Sequence, residues 1–419
     1  MSETVNTESE PVREGRAGPA ADPPRFPQDR TCPYLPPTGY QAFRDGAPVR
    51  AATLYDGSPA WVVSGYEAAR QLLGGTGLSA DRMNPGYPIV SERMEGIRFQ
   101  PPSFVGMDPP DHTRHRRTML AEFSVRSINA IRPGITAIVD EHIDEMLARG
   151  GPLDLVQAFS LPVPSRVICE ILGVPYSDHT FFQETSQNLV QAESPEQAIE
   201  SVGLLIAYFD ELISACLKQP GAGMIGRIAT EHVATDRLAK HELIMNALML
   251  LIAGHETTAS MITLGVITLL AHPEQLAKLR GDEALVGPAV EELLRYLSIA
   301  DIAGTRVAVA DIEVGGITVK RGDSLVVSHS LANRDPSAFT APDAFDIARG
   351  SRHHLAFGYG VHQCLGQNLA RAELQIALPA LFSRIPDLRL AVDQDDLVLR
   401  DGGTVQGVNE LLITWGAEA

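Results

Sequence analysis

Apolar residues recur at helical spacing over much of the first two thirds of the chain. One stripe covers residues 128–147 and ends at Gly150 and Gly151, which is the pattern of an amphipathic helix with a glycine stop. A second helix is predicted to begin at a capping box over residues 194–197, with Pro195 in its first turn, and to run to about residue 218. These periods predict a mainly helical protein.

The longest apolar stretch, residues 243–270, is interrupted by His255, Glu256, Thr257 and Thr258. No uninterrupted run therefore approaches the roughly 18 apolar residues that a membrane span needs. An apolar helix with a few polar residues in its middle is typical of the interior of a soluble protein. We expect a buried core helix here and no membrane anchor.

Short β-strands are expected on both sides of the helical region. Apolar runs around a turn indicate a hairpin within residues 50–64, and short strands are predicted over residues 306–314, 317–320 and 324–328. Residues 78–110 have scattered Pro and Gly without a clear period. A loop of that length usually covers a binding site.

One folded unit is expected, because no internal repeat or low-complexity linker follows residue 30. The predicted organisation is a flexible N-terminal tail over residues 1–30 and a single domain over residues 31–419. The fold class is mainly α with small β-sheets. Helical parts are expected at about 65–295 and 365–385, and β-rich parts at about 50–64, 306–328 and 386–415.

The chain is acidic, with 34 Lys and Arg against 52 Asp and Glu in 419 residues and a formal charge of −18. This balance disfavours nucleic-acid binding, which depends on clustered Lys and Arg at phosphates. The four cysteines lie far apart without a C-x-x-C pair, and the N terminus has no apolar segment of the signal-peptide kind. These features indicate a reducing, cytoplasmic environment.

The most informative segment is FGYGVHQCLG at residues 357–366, directly before a helical pattern. Backbone N–H groups and the positive helix end point at a cysteine placed there, which favours a thiolate metal ligand at Cys364. Gly360 and Gly366 would let the loop approach a flat cofactor, and Phe357 offers an aromatic surface. The alternative is a buried structural cysteine, which is the role expected for Cys32, Cys169 and Cys216.

This segment resembles the haem-binding loop of the cytochrome P450 superfamily, the haem-thiolate monooxygenases. The resemblance covers the chain after residue 30 and implies the cytochrome P450 fold, haem b with Cys364 as iron ligand, and dioxygen as co-substrate. Glu292 and Arg295 match the E-x-x-R charge pair of the family. Many relatives complete this network with an arginine where this chain has Ala344, and Arg349 is expected to take that place.

A second matching segment lies in the middle of the long apolar helix, where Gly254 is followed by His255, Glu256 and Thr257. Glu256 and Thr257 match the acid and the alcohol that guide protons to dioxygen in this family. The resemblance therefore implies that these two residues are catalytic. The alternative is a satisfied polar patch in a core helix.

Haem carries two carboxylates, which need cationic partners where they are partly buried. His112 and Arg116, one helical turn apart, match the family's H-x-x-x-R pair for this task. Arg306 and His362 match its other propionate contacts. A solvated basic face is the alternative for His112 and Arg116.

Electrons are expected from a separate protein. No flavin signature is present, and the one dinucleotide-like stretch, residues 75–80, follows a helix where such a loop should follow a strand. The resemblance implies a ferredoxin and an NAD(P)H-dependent ferredoxin reductase as partners of a monomer. Arg114 and Arg117 point away from His112 on a helical wheel and are expected to form a small basic patch for an acidic ferredoxin.

The sequence is similar to those of soluble actinobacterial members of the family that act on macrolides, other polyketides and xenobiotics. We therefore expect hydroxylation or epoxidation of an apolar or amphipathic small molecule, as in antibiotic biosynthesis and other secondary metabolism. By analogy with relatives, Ile302 and Val405 are expected to line the substrate site, and Arg82 and Arg93 are candidate contacts of a polar or acidic end of the substrate.

Two alternatives to this reaction stay open. A hydrogen-peroxide-dependent peroxygenase would use the same haem, but it would bypass the proton delivery that Glu256 and Thr257 imply. A non-catalytic haem-binding sensor would use the haem without turnover. For the two arginines among the substrate contacts, simple solvation is the alternative.

Overall fold

The fold is described by a computed structural model that covers residues 23–91, 102–190, 195–400 and 405–416. Within these ranges the secondary structure is mainly helical with small sheets, as the apolar periods predict. The helices are α1 (Gln41–Arg44), α2 (Tyr66–Gly74), α3 (Asp111–Met119), α4 (Val125–Arg149), α5 (Pro162–Leu172), α6 (His179–Val190), α7 (Pro195–Lys218), α8 (Gly223–Ile228), α9 (Lys240–Ala271), α10 (Pro273–Gly281), α11 (Val286–Leu297), α12 (His329–Ala332) and α13 (Gln367–Arg384). The strands are β1 (Val49–Thr53), β2 (Pro59–Val63), β3 (Leu78–Ser79), β4 (Leu153–Asp154), β5 (Gly304–Ala308), β6 (Ile312–Val314), β7 (Ile317–Val319), β8 (Ser324–Val327), β9 (Arg389–Leu390) and β10 (Leu412–Thr414).

The chain joins the fold before residue 30. Phe26 is fully buried against Tyr40 and Phe43, with ring centroids 5.0 and 5.6 Å away. Arg30 is also buried, and its Nη2 donates to the backbone oxygen of Leu297 at 2.8 Å. The predicted tail boundary therefore does not hold for residues 23–30, while residues 1–22 lie outside the described ranges.

The strands form one sheet of order β1-β2-β8-β5-β3 and two smaller ones, β4-β10-β9 and β6-β7. β1 and β2 are the hairpin predicted within residues 50–64, and β2 pairs in parallel with β8, so that Val63 lies opposite Val327. The single strand predicted over residues 306–314 is wrong, because the chain bends between β5 and β6. At this bend Asp311 accepts a hydrogen bond from Nζ of Lys320 at 2.9 Å.

Helix α9 is the central element of the core and packs against α5, α7 and α13. Most of its side chains are buried, which explains why its sequence lacks a polar face. By length and composition alone α9 could cross a membrane, but 72% of its most apolar 18-residue segment is buried inside the protein. This burial identifies α9 as the core helix that the interrupted apolar stretch predicts.

Helix α13 connects the two informative motifs. It packs against α4 and α9, and Cys364 lies just before its first residue, Gln367. The hydroxyl of Thr258 on α9 donates to Oε2 of Glu373 on α13 at 3.5 Å. The fold therefore places the cysteine motif and the acid-alcohol motif on helices that are in direct contact.

Candidate active site

Residues 357–366, here called the Cys364 loop, turn sharply before α13. Gly358 and Gly360 have φ angles of 68° and 73°, and a Cβ on Gly360 would lie 2.1 Å from the backbone oxygen of Leu73. Only glycine fits at position 360, because the loop passes in close contact with α2 there. The backbone N–H of Cys364 donates to the oxygen of Phe357 at 2.8 Å and closes the loop.

The sulfur of Cys364 is deep in the protein and yet accessible, so an internal space lies beside it. Apart from Gly366 itself and its two chain neighbours, no described residue lies within 4 Å of a Cβ built on Gly366. Burial raises the pKa of the Cys364 thiol, whereas the backbone N–H groups of Gly366 and Gln367 and the charge of Arg116 favour the thiolate. The loop therefore presents a sulfur with thiolate-stabilising donors to an open internal face.

Four basic side chains converge near this loop. The rings of His112 and His362 have centroids 4.1 Å apart, and Nη2 of Arg116 donates to the backbone oxygen of Gln363 at 2.7 Å. Burial, together with the positive charges of Arg116 and Arg306, lowers the pKa of His112 to about 4 and that of His362 to about 3. The structure brings together the four residues that the resemblance assigns to the haem carboxylates.

These residues fit a cofactor with two carboxylates. Both ring nitrogens of His112 are buried, and neither has a hydrogen-bond partner among the described residues. A buried polar group without a partner costs about 1–3 kcal/mol. Anionic oxygens beside this cluster would supply the missing acceptors and offset the repulsion among the cations. Together with the sulfur and the open face at Gly366, the cluster fits haem.

Glu256 and Thr257 occupy the middle of α9. Oε1 of Glu256 pairs with Nη1 of Arg400 at 2.8 Å, and both side chains are largely buried. The hydroxyl of Thr257 donates to the backbone oxygen of Ala253 at 2.6 Å. Donation of this proton elsewhere therefore requires the hydroxyl to turn away from its own helix.

Glu292 lies at the centre of a buried charge network. Arg295 donates to both of its carboxylate oxygens at 2.8 Å, and Nε of Arg349 donates to Oε1 at 3.1 Å. Arg295 also donates to the backbone oxygens of Asn333 and Pro342. The network ties α11 to the segment that precedes the Cys364 loop.

Two ion pairs near the site join residues far apart in the sequence, and sequence reasoning missed both. Arg400, the partner of Glu256, lies in the β-rich C-terminal part and belongs to no motif. Glu291 pairs with Arg371 at 2.7 Å and also lies within hydrogen-bond distance of Nε2 of His354, at 3.0 Å. The one available signal was a second acid directly before the E-x-x-R pattern, on the helix that carries it.

Two of the four candidate substrate contacts are associated with the same buried cluster of residues. Ile302 is buried in the cluster that contains Tyr87, and Arg82 hydrogen-bonds the side chain of Tyr87. Val405 packs in the main core around α9 instead. Arg93 lies outside the described residues.

The predicted basic patch on α3 is partly neutralised. Arg114 pairs with Glu242 at 2.8 Å and with Asp111 at 3.5 Å, and its hydrogen bond is the main cause that lowers the pKa of Glu242 to about 2. Glu242 also accepts the backbone N–H of Ala239 at 2.8 Å and so caps α9. Arg114 therefore stabilises the start of α9, and the exposed Arg117 is the better candidate for contact with a partner.

Comparisons with known proteins agree with this geometry. The family model described as Cytochrome P450 matches residues 222–386. The vitamin D3 dihydroxylase of Streptomyces griseolus is 54% identical over 94% of this chain and 97% of that protein. The mycinamicin VIII C21 methyl hydroxylase of Micromonospora griseorubida is 44% identical over 93% of this chain and 99% of that protein. The crystal structure of cytochrome P450 MoxA from Nonomuraea recticatena has a TM-score of 0.89 at 45% identity, and the match covers 94% of this chain and 99% of that chain.

Proposed function

Because the chain belongs to the cytochrome P450 family of monooxygenases, we propose that it hydroxylates or epoxidises an apolar or amphipathic small molecule, such as a polyketide, a macrolide or a xenobiotic. Its electrons would come from a ferredoxin. The observation that carries the proposal is the sulfur of Cys364, which faces an internal space beside four basic side chains. The relatives named as a vitamin D3 dihydroxylase and as a mycinamicin VIII C21 methyl hydroxylase support hydroxylation of a small molecule.

Haem, when bound, supplies the iron at which dioxygen is activated for insertion into a C–H bond. Cys364 would ligate that iron as a thiolate, because the helix N-terminal N–H groups stabilise the anion. The basic cluster would hold the two haem carboxylates, and its members are His112, Arg116, Arg306 and His362. Phe357 and Gly366 are the proposed contacts of the flat ring.

Glu256 and Thr257 are the proposed proton-transfer residues. Reduction of dioxygen consumes protons, and a carboxylate that exchanges with water can supply them through a neighbouring hydroxyl. Arg400 orients the Glu256 carboxylate and offsets its charge within an apolar helix. Thr257 would pass the proton on when its hydroxyl leaves the backbone oxygen of Ala253.

A ferredoxin and its NAD(P)H-dependent reductase are the proposed electron donors. The absence of a nicotinamide or flavin signature from the sequence supports this assignment. The exposed Arg117 at the end of α3, the helix of Arg116, offers positive charge for an acidic partner. We also propose a cytoplasmic monomer, in keeping with four cysteines that are all unpaired.

The test is turnover of the haem-loaded protein with a panel of small molecules, preselected by the absorbance shift that follows a change of iron spin state. Product that requires dioxygen, reductase and reduced ferredoxin together is the expected result. Product formed equally well with hydrogen peroxide alone would favour a peroxygenase. Binding without product under either condition would favour a haem-based sensor and overturn the monooxygenase proposal for this chain.

A further inference from the structure

Glu291 is a buried carboxylate that the proposed reaction does not use. It directly precedes Glu292 on α11 but has different partners, and it is only 1% exposed. Its Oε1 accepts from Nε of Arg371 at 2.7 Å, and its Oε2 accepts from Nη2 of Arg371 at 3.1 Å. The pair is bidentate, which is the strongest geometry between these two groups. Glu292 binds the segment before the Cys364 loop, whereas Glu291 connects Arg371 on α13, after the loop, with His354, just before it.

His354 completes this cluster as a neutral donor. The backbone N–H of Ala356 donates to its Nδ1 at 3.2 Å, so the ring proton resides on Nε2, which donates to Oε2 of Glu291 at 3.0 Å. Burial lowers the pKa of His354 and so favours this uncharged form. Burial alone would raise the pKa of Glu291, but the hydrogen bonds from His354 and Arg371 lower it to about 2. The cluster therefore holds one anion and one cation.

The cluster touches the Cys364 loop through an aromatic ring. The guanidinium of Arg371 lies over the ring of Phe357, 4.6 Å from its centroid, and the His354 ring is 5.9 Å from the same ring. The backbone oxygen of Phe357 accepts the N–H of Cys364 at 2.8 Å. A chain of direct contacts thus runs from Glu291 through Arg371 and Phe357 to the cysteine.

We propose that Glu291 is a positioning residue for the thiolate: it holds Arg371 against Phe357 and balances the positive charge that acts on the Cys364 sulfur. By this charge balance it sets the reduction potential of the iron. The inference rests on the proposed haem-thiolate function. The Arg371 guanidinium lies over the ring of Phe357, whose backbone oxygen accepts the N–H of Cys364, and charge and hydrogen bonding around a ligand sulfur are known determinants of the potential.

The test compares charge variants by spectroelectrochemical titration of the haem-loaded protein. Glu291→Gln keeps the shape of the side chain but leaves the Arg371 charge unbalanced, so the potential should shift to more positive values. Arg371→Gln removes the cation and should shift the potential to more negative values. The double variant should return close to the wild-type potential, and Arg371→Lys should lie closer to wild type than Arg371→Gln.

A matched control is Glu141→Gln, which removes one carboxylate of an equally close ion pair, with Arg166 at 2.7 Å. The adjacent Asp140 pairs with Arg384 at the far end of α13, so this ion pair lies away from the loop. The potential of Glu141→Gln should not change. If both single variants shift the potential in the same direction, or neither shifts it, Glu291 acts through packing alone and the proposal is wrong. If Glu291→Gln takes up no haem, the reduction potentials of Arg371→Gln and Arg371→Lys test the proposal instead. Equal potentials in these two variants would mean that the charge at position 371 has no effect, and the proposal would be wrong.

A second measurement tests how firmly the Cys364 loop is held in place. In mild urea, the carbon monoxide complex of Glu291→Gln should lose the absorbance band of thiolate-ligated haem about tenfold faster than wild type, as expected for the loss of a charge-assisted hydrogen bond. An unchanged rate would count against the positioning role. A wild-type protein without that band would instead overturn the proposed function itself, so the two failures are distinguishable.

Discussion

At the scale of single residues, His112 and His255 are informative because both are buried without hydrogen-bond partners in the described part of the chain. Both have ring nitrogens that are buried and have no hydrogen-bond partner among the described residues. His112 lies against His362 within the basic cluster, where carboxylates would satisfy it. The pKa of His255 is lowered to about 4 by burial alone. The first is a candidate cofactor contact, and the second lowers stability in acid.

The pH dependence of stability should therefore change in a His255 variant. The unfolded chain binds a proton at His255 below about pH 6.5 and the folded protein only below about pH 4, so stability falls as the pH drops through this window. The free energy of unfolding of the wild-type protein should fall between pH 7 and pH 5, and we expect His255→Leu to make this fall about 2 kcal/mol smaller. Urea unfolding at both pH values measures this free energy. His241→Leu, which replaces an exposed histidine, is the control. An unchanged pH dependence in His255→Leu would contradict the assignment.

Thr257→Ala should uncouple electron use from product formation. Without the hydroxyl that passes a proton on, electrons should go to hydrogen peroxide while substrate still binds, and product per electron should fall about tenfold or more. Thr263→Ala is the matched control, because its hydroxyl also donates to the carbonyl one turn earlier, at 2.9 Å to Ala259. Equal losses in the two variants would refute a specific role of Thr257. Product and peroxide yields per NAD(P)H provide the measurement.

The roles of site residues could be predicted from the sequence where the evidence lies within a few neighbouring positions. The cysteine before a helix and the acid beside an alcohol each occupy a few consecutive positions, and a helix end or a helix interior defines their surroundings. The partners of Glu256 and Glu291 were not predictable, because they are 144 and 80 residues away in the sequence. A buried carboxylate predicts that some cation lies beside it, but only the fold determines which one.

At the scale of elements, the contact between α9 and the C-terminal β-rich part determines how Glu256 is held. Arg400 lies in a short antiparallel ladder, where Leu399 pairs with Val408 and the N–H of Arg400 donates to the oxygen of Gly407 at 2.9 Å. Its guanidinium reaches from this ladder to the middle of α9. The position of the ladder is thereby coupled to the orientation of the carboxylate.

Arg400→Gln should impair proton supply without preventing substrate binding. Loss of the cation releases Glu256 from its orientation, so we expect product per electron to fall severalfold and the solvent deuterium isotope effect on turnover to rise. Arg389→Gln, which removes an arginine that donates to Gly416 in the same C-terminal part, should leave both values unchanged. Wild-type coupling in Arg400→Gln would show that Arg400 does not orient Glu256 in turnover.

Elements differed in how well their sequence predicted them. Helix α9 extends over Lys240–Ala271, close to the apolar stretch of residues 243–270, because a largely buried helix must be apolar over most of its length. The strand predicted over residues 306–314 is split near Asp311, whose partner Lys320 directly follows β7. Strand boundaries of this kind depend on neighbours that the local pattern does not contain.

At the scale of the whole molecule, the formal charge of −18 opposes the approach of an acidic ferredoxin. Association then depends on local positive charge, and Arg117 is exposed at the end of α3. We expect Arg117→Glu to slow ferredoxin-dependent reduction severalfold at low salt, and the difference to shrink as salt rises. Arg321→Glu changes the total charge equally at another exposed position and serves as control. Equal rates in the two variants would exclude Arg117 from the docking surface.

The burial of Phe26 and Arg30 has a practical consequence for anyone who shortens or tags this enzyme. A truncation at residue 30, which the composition of the N terminus invites, would delete an aromatic ring packed against Tyr40 and a guanidinium bonded to Leu297. Emptying such a site typically costs about 3–5 kcal/mol. Expression designs should therefore retain the chain from residue 23 onward and place affinity tags ahead of it.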